Sequence, residues 1–152
     1  MVLCTEDPRW LQQQGVVFAA DHGMAAQGDS ACPQAVTPQM VANMLAGGAA
    51  VSVLARQHGL ALTVVDCGVA GDTAPQPGLL TSKVAACSAD SSRGPAMSAA
   101  ECAAAMANGR SLLQNLPGNV LLPGEMVIAN SSATALWMAR LTGLPIEPRN
   151  GS

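Results

Sequence analysis

The sequence predicts an α/β domain built on a mainly parallel β-sheet. Three short apolar runs, bounded by glycine, proline or acidic residues, have the length and composition of buried strands. Each run is followed by a loop and then by a segment with helix signals. Because strands joined by helical crossovers pair in parallel with right-handed connections, this repeated strand–loop–helix order predicts one sheet whose strands run the same way.

The first unit is a strand over Val16–Ala20 that ends at Asp21-His22-Gly23 and leads, after a polar loop, into one long helix. Thr37-Pro38 is the predicted N-cap and first helical residue. Apolar residues recur at a helical period across Gly47-Gly48 as far as Gly59, a typical helix stop. Since a glycine inside a helix costs about 1 kcal/mol relative to alanine, we expect another backbone or a ligand to lie close there.

The second and third units repeat this order. The second strand covers 61–66, and a long loop rich in Gly, Pro and Ser follows it, with a short irregular strand predicted over 79–85. Ser98 and Glu101 form a capping box that begins a helix ending near Asn115. A third strand over 119–123 leads to Gly124-Glu125-Met126, and a last helix is predicted from Asn130-Ser131 to Gly143.

An acidic residue lies at the carboxyl end of each predicted strand: Asp21, Asp66 and Glu125. Ligands of open parallel sheets bind beyond the carboxyl ends of the strands, so the sequence predicts a ligand site at a rim that these carboxylates share. The alternative is that the acids cap loops or helix N-termini. For Asp21 with His22, anchoring a loop is the favoured interpretation.

Composition excludes several functional classes. The 152 residues include 7 basic and 10 acidic side chains and only 2% aromatics, with no basic cluster, which excludes nucleic-acid binding. Five cysteines without a CxxC pair predict neither a disulfide framework nor a metal site. The first residues lack an apolar run, and the stretch 46–55 is too short to cross a bilayer, so we expect no membrane association and a cytoplasmic location.

Six stretches together carry a family resemblance, in their order and spacing: 17–23, 33–37, 43–56, 64–69, 94–98 and 124–145. From about Gly15 to Glu147 the chain resembles the nicotinate-nucleotide–dimethylbenzimidazole phosphoribosyltransferase family. The resemblance implies a Rossmann-like three-layer α/β/α fold, incomplete relative to the family. It also implies a core over 16–147, preceded by a lead-in over 1–15 and followed by a loose tail over 148–152.

The implied reaction moves the ribose 5-phosphate of nicotinate mononucleotide onto 5,6-dimethylbenzimidazole, giving α-ribazole 5′-phosphate for cobalamin assembly. The resemblance implies no cofactor, a homodimer, and small-molecule substrates only. Glu125 is the implied catalytic residue, and Asn130-Ser131 is the implied phosphate cradle. The full set of implied substrate-binding residues is Asp21, His22, Cys32, Met40, Ser88, Asp90, Met126, Val127, Asn130 and Ser131.

Departures from the family leave two alternatives open. Val127 stands where the family has glycine, and Cys32 and Met40 replace polar residues of the implied base pocket. The family also has an N-terminal helical segment and a long C-terminal half that carries the glutamate usually assigned as general base. We therefore expect this chain to catalyse the family reaction poorly. The chain would then be an inactive relative that binds an aromatic base or nucleotide, or a truncated product prone to aggregation.

Overall fold

Four parallel strands form one sheet within the residues that the computed structural model describes, 6–7, 9–28 and 32–146. They are β1 (Gln14–Asp21), β2 (Ala61–Gly68), β3 (Leu79–Thr81) and β4 (Leu121–Ile128). The strand order is β3-β2-β1-β4, and every neighbouring pair is parallel. The predicted α/β class and the parallel sheet are therefore confirmed.

The helices follow from this order. They are α1 (Val36–Leu45), α2 (Ala50–Gln57), α3 (Ala99–Asn115) and α4 (Asn130–Thr142), with a short 3₁₀ helix over Gly23–Gln27. The chain moves from β1 to β2 in one direction across the sheet and from β3 to β4 in the other. Since parallel crossovers are right-handed, the helices of these two connections lie on opposite faces of the sheet.

The hydrophobic core lies between the sheet and the helix pair α1 and α2. It joins Val17 and Ala19 of β1 to Val64 of β2 and to Val41 and Met44 of α1. The strand residues in this cluster alternate along the chain, as one face of a sheet requires. Burying each valine or methionine contributes roughly 1.5–3 kcal/mol. This packing sets the distance between the sheet and the start of α1, where the loops after β1 and β2 converge.

The prediction of one long helix over 37–58 is wrong. α1 ends at Leu45 and α2 begins at Ala50, because Gly47 has a φ of +81°, which ends a helix. A Cβ at Gly48 would overlap the Asn43 side chain, so a neighbouring side chain makes the close approach there. Thr37 is not the N-cap either: Ala35 holds that position, and Thr37 is fully buried inside the first turn.

The segment Val36–Gln57 is, by length and composition alone, apolar enough to cross a membrane, with a mean hydropathy of 1.3. A core helix of a soluble protein meets the same criterion. Here the segment is two helices, and Val41, Met44 and Ala49 from it pack in the core. Its apolar character therefore has an explanation within the fold.

Other boundaries confirm or correct the sequence predictions. α3 has the predicted capping box: Glu101 N donates to Ser98 Oγ at 3.2 Å, and Ser98 N donates to Glu101 Oε2 at 2.7 Å.

β1 begins at Gln14, two residues before the predicted start of the first strand, and β3 ends at Thr81, four residues before the predicted end at 85. β4 extends to Ile128, well past the predicted end, and its Pro123 is compatible with an edge strand. The predicted tail over 148–152 lies outside the described residues.

Replacing Ala129 by glycine should stabilise the protein. Ala129 precedes α4 with φ +67° and ψ +21° and is only 6% exposed. A residue with a Cβ is strained by about 1–2 kcal/mol in this left-handed region, and glycine relieves that strain. The larger backbone entropy that glycine loses on folding offsets only part of this stabilisation. We expect Ala129→Gly to raise the free energy of unfolding by about 0.5–1 kcal/mol in urea titrations. The control, Ala133→Gly inside α4, should lower it by about 1 kcal/mol, and the same sign for both variants would contradict this account.

Candidate active site

The sheet has a switch point between β1 and β4. These strands are neighbours, yet the connections that leave β1 and enter β4 lie on opposite sides of the sheet. At their carboxyl ends, Asp21 is in register with Ile128. The loops diverge there and leave a crevice, which is where ligands bind in open α/β sheets. His22 follows β1 into this crevice, and Asn130 begins α4 beside it.

The three predicted acids do not share one face of the sheet. Glu125 is in register with Phe18, whereas Asp66 is in register with Ala19. Successive side chains of a strand point to opposite faces, so Asp21 and Asp66 lie on the core face and Glu125 on the other. Asp66 and Glu125 also lie inside their strands, two and three residues before the ends of β2 and β4, so the prediction of a position at the strand end is wrong for both. Asp21 is the last residue of β1, as predicted.

Asp21 is a buried anchor between three segments. Its side chain is 1% exposed. Thr37 Oγ1 donates to Oδ1 at 2.6 Å, and the backbone N–H of Ala70 donates to Oδ2 at 2.8 Å. The carboxylate therefore joins the end of β1 to α1 and to the loop after β2. This agrees with the loop-anchoring interpretation of the sequence.

Asp66 plays the same part inside β2, two residues before its end. Oδ1 accepts from the backbone N–H groups of Gly68 and Val69 at 3.0 and 2.9 Å. Oδ2 accepts from Thr73 Oγ1 at 2.5 Å and lies 3.1 Å from Lys83 Nζ. Burial alone would raise the pKa of Asp66, but the hydrogen bonds from Thr73 and Val69, together with Lys83, outweigh it and hold the pKa below its usual range.

His22 and Ser88 meet at the crevice from distant parts of the chain. His22 Nδ1 lies 3.4 Å from Ser88 Oγ, and Gly23 N donates to the same oxygen at 3.4 Å. Ser88 N donates to the Asp21 carbonyl at 3.2 Å. A Cβ at Gly23 would lie 2.5 Å from the Ser88 carbonyl oxygen, so only glycine permits this approach.

Burial lowers the pKa of His22 and outweighs the negative charges of Asp21 and Glu125, which act to raise it. The imidazole is therefore uncharged at neutral pH. Because the charge of Glu125 acts on the pKa of His22, the exposed Glu125 carboxylate lies close enough to interact electrostatically with groups in the crevice. Among the described residues, none donates a hydrogen bond to the Glu125 carboxylate.

Two clefts flank the His22–Ser88 pair. One, of about 560 Å³, lies between the loop around Val84–Ala89 and the start of α3. The other, of about 570 Å³, lies between the loop around Gly94–Met97 and α4, with Trp137 and Arg140 along its side. Both volumes fall in the range of small-molecule sites, roughly 300–1,000 Å³. Met97 and Trp137 lie in the stretches 94–98 and 124–145, which carry the family resemblance, but neither was predicted as a site residue.

The remaining predicted site residues are more dispersed. Met40 and Met126 pack against the core. Cys32 is exposed, and Val127 is half-buried beside Ala20. Asp90 organises its own loop, accepting from Ser92 Oγ at 2.6 Å and from Gln27 Nε2 at 3.0 Å. Asn130 and Ser131 form the first turn of α4, whose free N–H groups suit an anion.

No group of three or more His, Cys, Asp or Glu side chains able to hold a metal ion occurs in the described part of the chain. What the crevice offers instead is an uncharged imidazole, a hydroxyl, an exposed carboxylate and a helix N-terminus beside apolar clefts. Such a set suits proton transfer and the binding of a flat organic ligand with a phosphate.

Comparison with known proteins identifies the class. A family model described as Phosphoribosyltransferase matches residues 2–152, and the chain belongs to this family. A relative from Variovorax paradoxus, named nicotinate-nucleotide–dimethylbenzimidazole phosphoribosyltransferase, is 60% identical over 152 residues, covering 100% of this chain and 44% of the relative. A relative of the same name from Dechloromonas aromatica is 48% identical over 149 residues, covering 96% and 43% of the two chains. The resemblance found in the sequence is confirmed.

A solved structure of the protein with that name from Thermus thermophilus superposes with a TM-score of 0.81 at 41% identity, covering 91% of this chain and 43% of that one. The fold is therefore shared over the part of the two chains that superposes. The chain spans less than half the length of the relatives that it matches.

Removing the Thr37 hydroxyl should destabilise the protein strongly. Thr37→Val keeps the shape but leaves a buried Asp21 oxygen without its donor, and hydrogen bonds to charged groups are worth about 1.5–3 kcal/mol. We expect a loss of about 2 kcal/mol in the free energy of unfolding by urea titration, with Thr37→Ser close to the parent. Thr134→Val, which removes an exposed hydroxyl bonded only within α4, is the control. Equal losses for Thr37→Val and Thr134→Val would contradict the anchoring role.

The free energy of unfolding should depend on pH through the carboxyl group of Asp66. Its folded pKa lies below its unfolded value, so the unfolded chain binds more protons as the pH falls below about 4. This contribution is complete above the unfolded pKa and is lost as the pH falls through the folded one. We expect Asp66→Asn to be less stable at pH 7 and to lose less further stability between pH 5 and 2, by urea titrations at each pH. The control Asp72→Asn, at an exposed position, should show the same dependence of unfolding free energy on pH as the parent. If the curve of Asp66→Asn ran parallel to that of the parent, the stabilising role of Asp66 would be overturned.

Proposed function

We propose that this chain carries part of a site that transfers ribose 5-phosphate from nicotinate mononucleotide to 5,6-dimethylbenzimidazole, giving α-ribazole 5′-phosphate for the nucleotide loop of cobalamin. The names of the relatives support this substrate pair. The observation that carries the proposal is the switch-point crevice, where Glu125, His22 and the start of α4 come together on a family scaffold.

The chemistry assigns a task to each part of the crevice. The transfer forms a bond from the lone-pair nitrogen of the azole to the anomeric carbon, breaks the bond to nicotinate, and releases the single N–H proton of the other azole nitrogen. A carboxylate or an uncharged imidazole near the base accepts that proton. The N–H groups at the start of α4 favour the phosphate, and the helix dipole adds to that preference. Nicotinate leaves readily from its pyridinium form, so this scheme routes no step through a metal.

We also propose a cytoplasmic location and a homodimer for the complete protein. Several apolar side chains near the switch point are exposed, including Trp137 at 71% and Leu141 at 76%. Only 11% of the residues are charged, against about 25% in a typical domain. A surface of this kind is typical of a face that meets other protein.

A second function is favoured by the state of Glu125. No described residue holds its carboxylate, whereas catalytic groups are normally fixed by hydrogen bonds to their neighbours. A chain with this site would bind an aromatic base or a nucleotide without turning it over. The Val127 side chain, half-buried beside Glu125 on β4, supports the same alternative.

The experiment measures α-ribazole 5′-phosphate by mass spectrometry after incubation with both substrates, using the 60%-identical relative as the positive control. We expect slow product formation, below that of the relative, and a further loss of about 100-fold or more for Glu125→Gln, since positioned acid–base groups contribute 10²–10⁴-fold. Asp72→Asn, which changes an exposed carboxylate that lines neither cleft, should match the parent. Product at equal rates from Glu125→Gln would remove Glu125 from the mechanism, and binding of either substrate without product would establish the second function.

A further inference from the structure

A third cleft, of about 600 Å³, opens at the amino end of the sheet. It lies where β1 begins at Gln14 and β4 begins at Leu121, two residues that are in register. Because a strand rises about 3.3 Å per residue, the eight residues of β1 separate this cleft from His22 by about 25 Å. None of its lining residues lines the other two clefts, so it is a separate feature of the molecule.

One wall of this cleft is the indole of Trp10, which is 74% exposed. Asn119 holds the backbone on both sides of the ring: its Oδ1 accepts from Leu11 N at 2.9 Å, and its Nδ2 donates to the Arg9 carbonyl at 2.8 Å. A Cβ at Gly118 would overlap the Leu11 carbonyl oxygen, so the two segments meet without room for a side chain. The indole therefore stands on a fixed backbone with most of its surface open to a ligand.

The carboxyl end of α3 forms another part of the cleft, through Leu113 and Leu116. α1, α2 and α4 each end with a C-cap N–H that donates back into the last turn, whereas the C-cap of α3, Leu116, has an extended backbone. Among the described residues, no backbone N–H from outside α3 donates to the carbonyl oxygens of its last turn, which also has no basic side chain. These oxygens carry partial negative charge, so this end of the cleft attracts a cation.

The Gln14 side chain supplies a hydrogen-bond acceptor. The residue is only 7% exposed, and its Nε2 donates to the Gln12 carbonyl at 3.1 Å, which directs Oε1 away from Gln12. No described group donates to Oε1, yet every side-chain oxygen or nitrogen that is sealed inside the described residues has a partner. Oε1 is therefore open to the cleft that Gln14 lines, and a ligand with an N–H group satisfies it.

The charge of the cleft favours a cation as well. No charged side chain lines it in the part of the chain that the structure describes. Arg9, next to Trp10 in the chain, is paired with Asp7, with 2.8 Å between Nη2 and Oδ2. An indole face, a helix carboxyl end and an amide oxygen each favour a positively charged N–H donor. The other lining residues are mostly apolar: Leu113, Leu116, Pro117, Val120 and Leu121.

We propose that the cleft at the amino end of the sheet binds a small organic ammonium ion that carries an apolar group. The ammonium group donates to Gln14 Oε1 beside the carbonyl oxygens at the end of α3, and the apolar group lies against the indole of Trp10. The proposed transfer needs no such ligand, and the cleft lies at the other end of the sheet from the crevice. The two proposals are therefore independent.

The two tryptophans test the location of the site. Trp10 and Trp137 are the only tryptophans in the sequence, are similarly exposed, and line clefts at opposite ends of the sheet. Indole emission comes from Trp10 alone in Trp137→Phe, and from Trp137 alone in Trp10→Phe. On titration with 2-phenylethylammonium, we expect a saturable change in the emission of Trp137→Phe and a constant emission of Trp10→Phe. An equal response of the two tryptophans, or no response of Trp10, would overturn the site.

A neutral ligand of the same shape tests the preference for charge. Calorimetry compares 2-phenylethylammonium with 2-phenylethanol, in which a hydroxyl group replaces the ammonium group. We expect the parent to bind the ammonium ion about tenfold more tightly, because the cation interacts more strongly with the indole and with the carbonyl oxygens. Trp10→Ala should bind the ammonium ion about tenfold more weakly than the parent, and Trp137→Ala should match the parent. Equal affinities of the parent for the two ligands would refute the proposal.

Gln14→Met tests the acceptor, since it removes Oε1 at a similar side-chain length. The control is Gln114→Met, at an exposed position of α3 that does not line the cleft. We expect the tenfold preference for the ammonium ion to fall to about threefold in Gln14→Met and to persist in Gln114→Met, with the circular dichroism of the parent in both. An unchanged preference in Gln14→Met would refute the role of Gln14. The comparison of the two ligands in the parent decides the proposal even if Gln14→Met fails to fold.

Discussion

The site depends on one buried carboxylate, that of Asp21. It joins the end of β1 to Thr37 in the first turn of α1 and to Ala70 in the loop after β2, and water does not reach it. An ionised group in such a place is tolerated only when its oxygens are fully bonded. The three segments are therefore held together by a requirement of charge burial, and the geometry at the end of β1 follows from it.

The hydrogen bonds of Asp21 also position His22. It is the next residue in the chain, its carbonyl accepts from Gln34 Nε2 at 3.0 Å, and the Ser88 backbone bonds to the Asp21 carbonyl. An imidazole fixed in this way keeps one direction, which is what a proton acceptor needs. The acids on the core face thus stabilise the loops, while Glu125 on the open face remains available to a ligand.

Family membership and local structure answer different questions about this chain. The match over residues 2–152 and the shared fold establish the scaffold and its ancestry. The reaction depends on side chains gathered at the switch point, and the chain spans less than half of each relative compared. An active site would use the exposed Glu125 in the transfer, whereas a binding site would hold a ligand in the clefts without turnover.

Local patterns in the sequence were enough to determine the parallel α/β class, the capping box at Ser98, and the end of α3 at Asn115. Periodicity, β-branched composition and N-cap chemistry act over a few residues, so they can be read directly. The break at Gly47 was missed because the apolar period continues through it, whereas the positive φ of this glycine ends α1.

Tertiary structure alone decided which acids serve the fold and which face a ligand. Asp21, Asp66 and Glu125 look alike in the sequence, but register places two on the core face and one on the open face. It also brought together His22 and Ser88, which are 66 positions apart. Contacts at that separation come from the order of the strands, and no local pattern of residues encodes them.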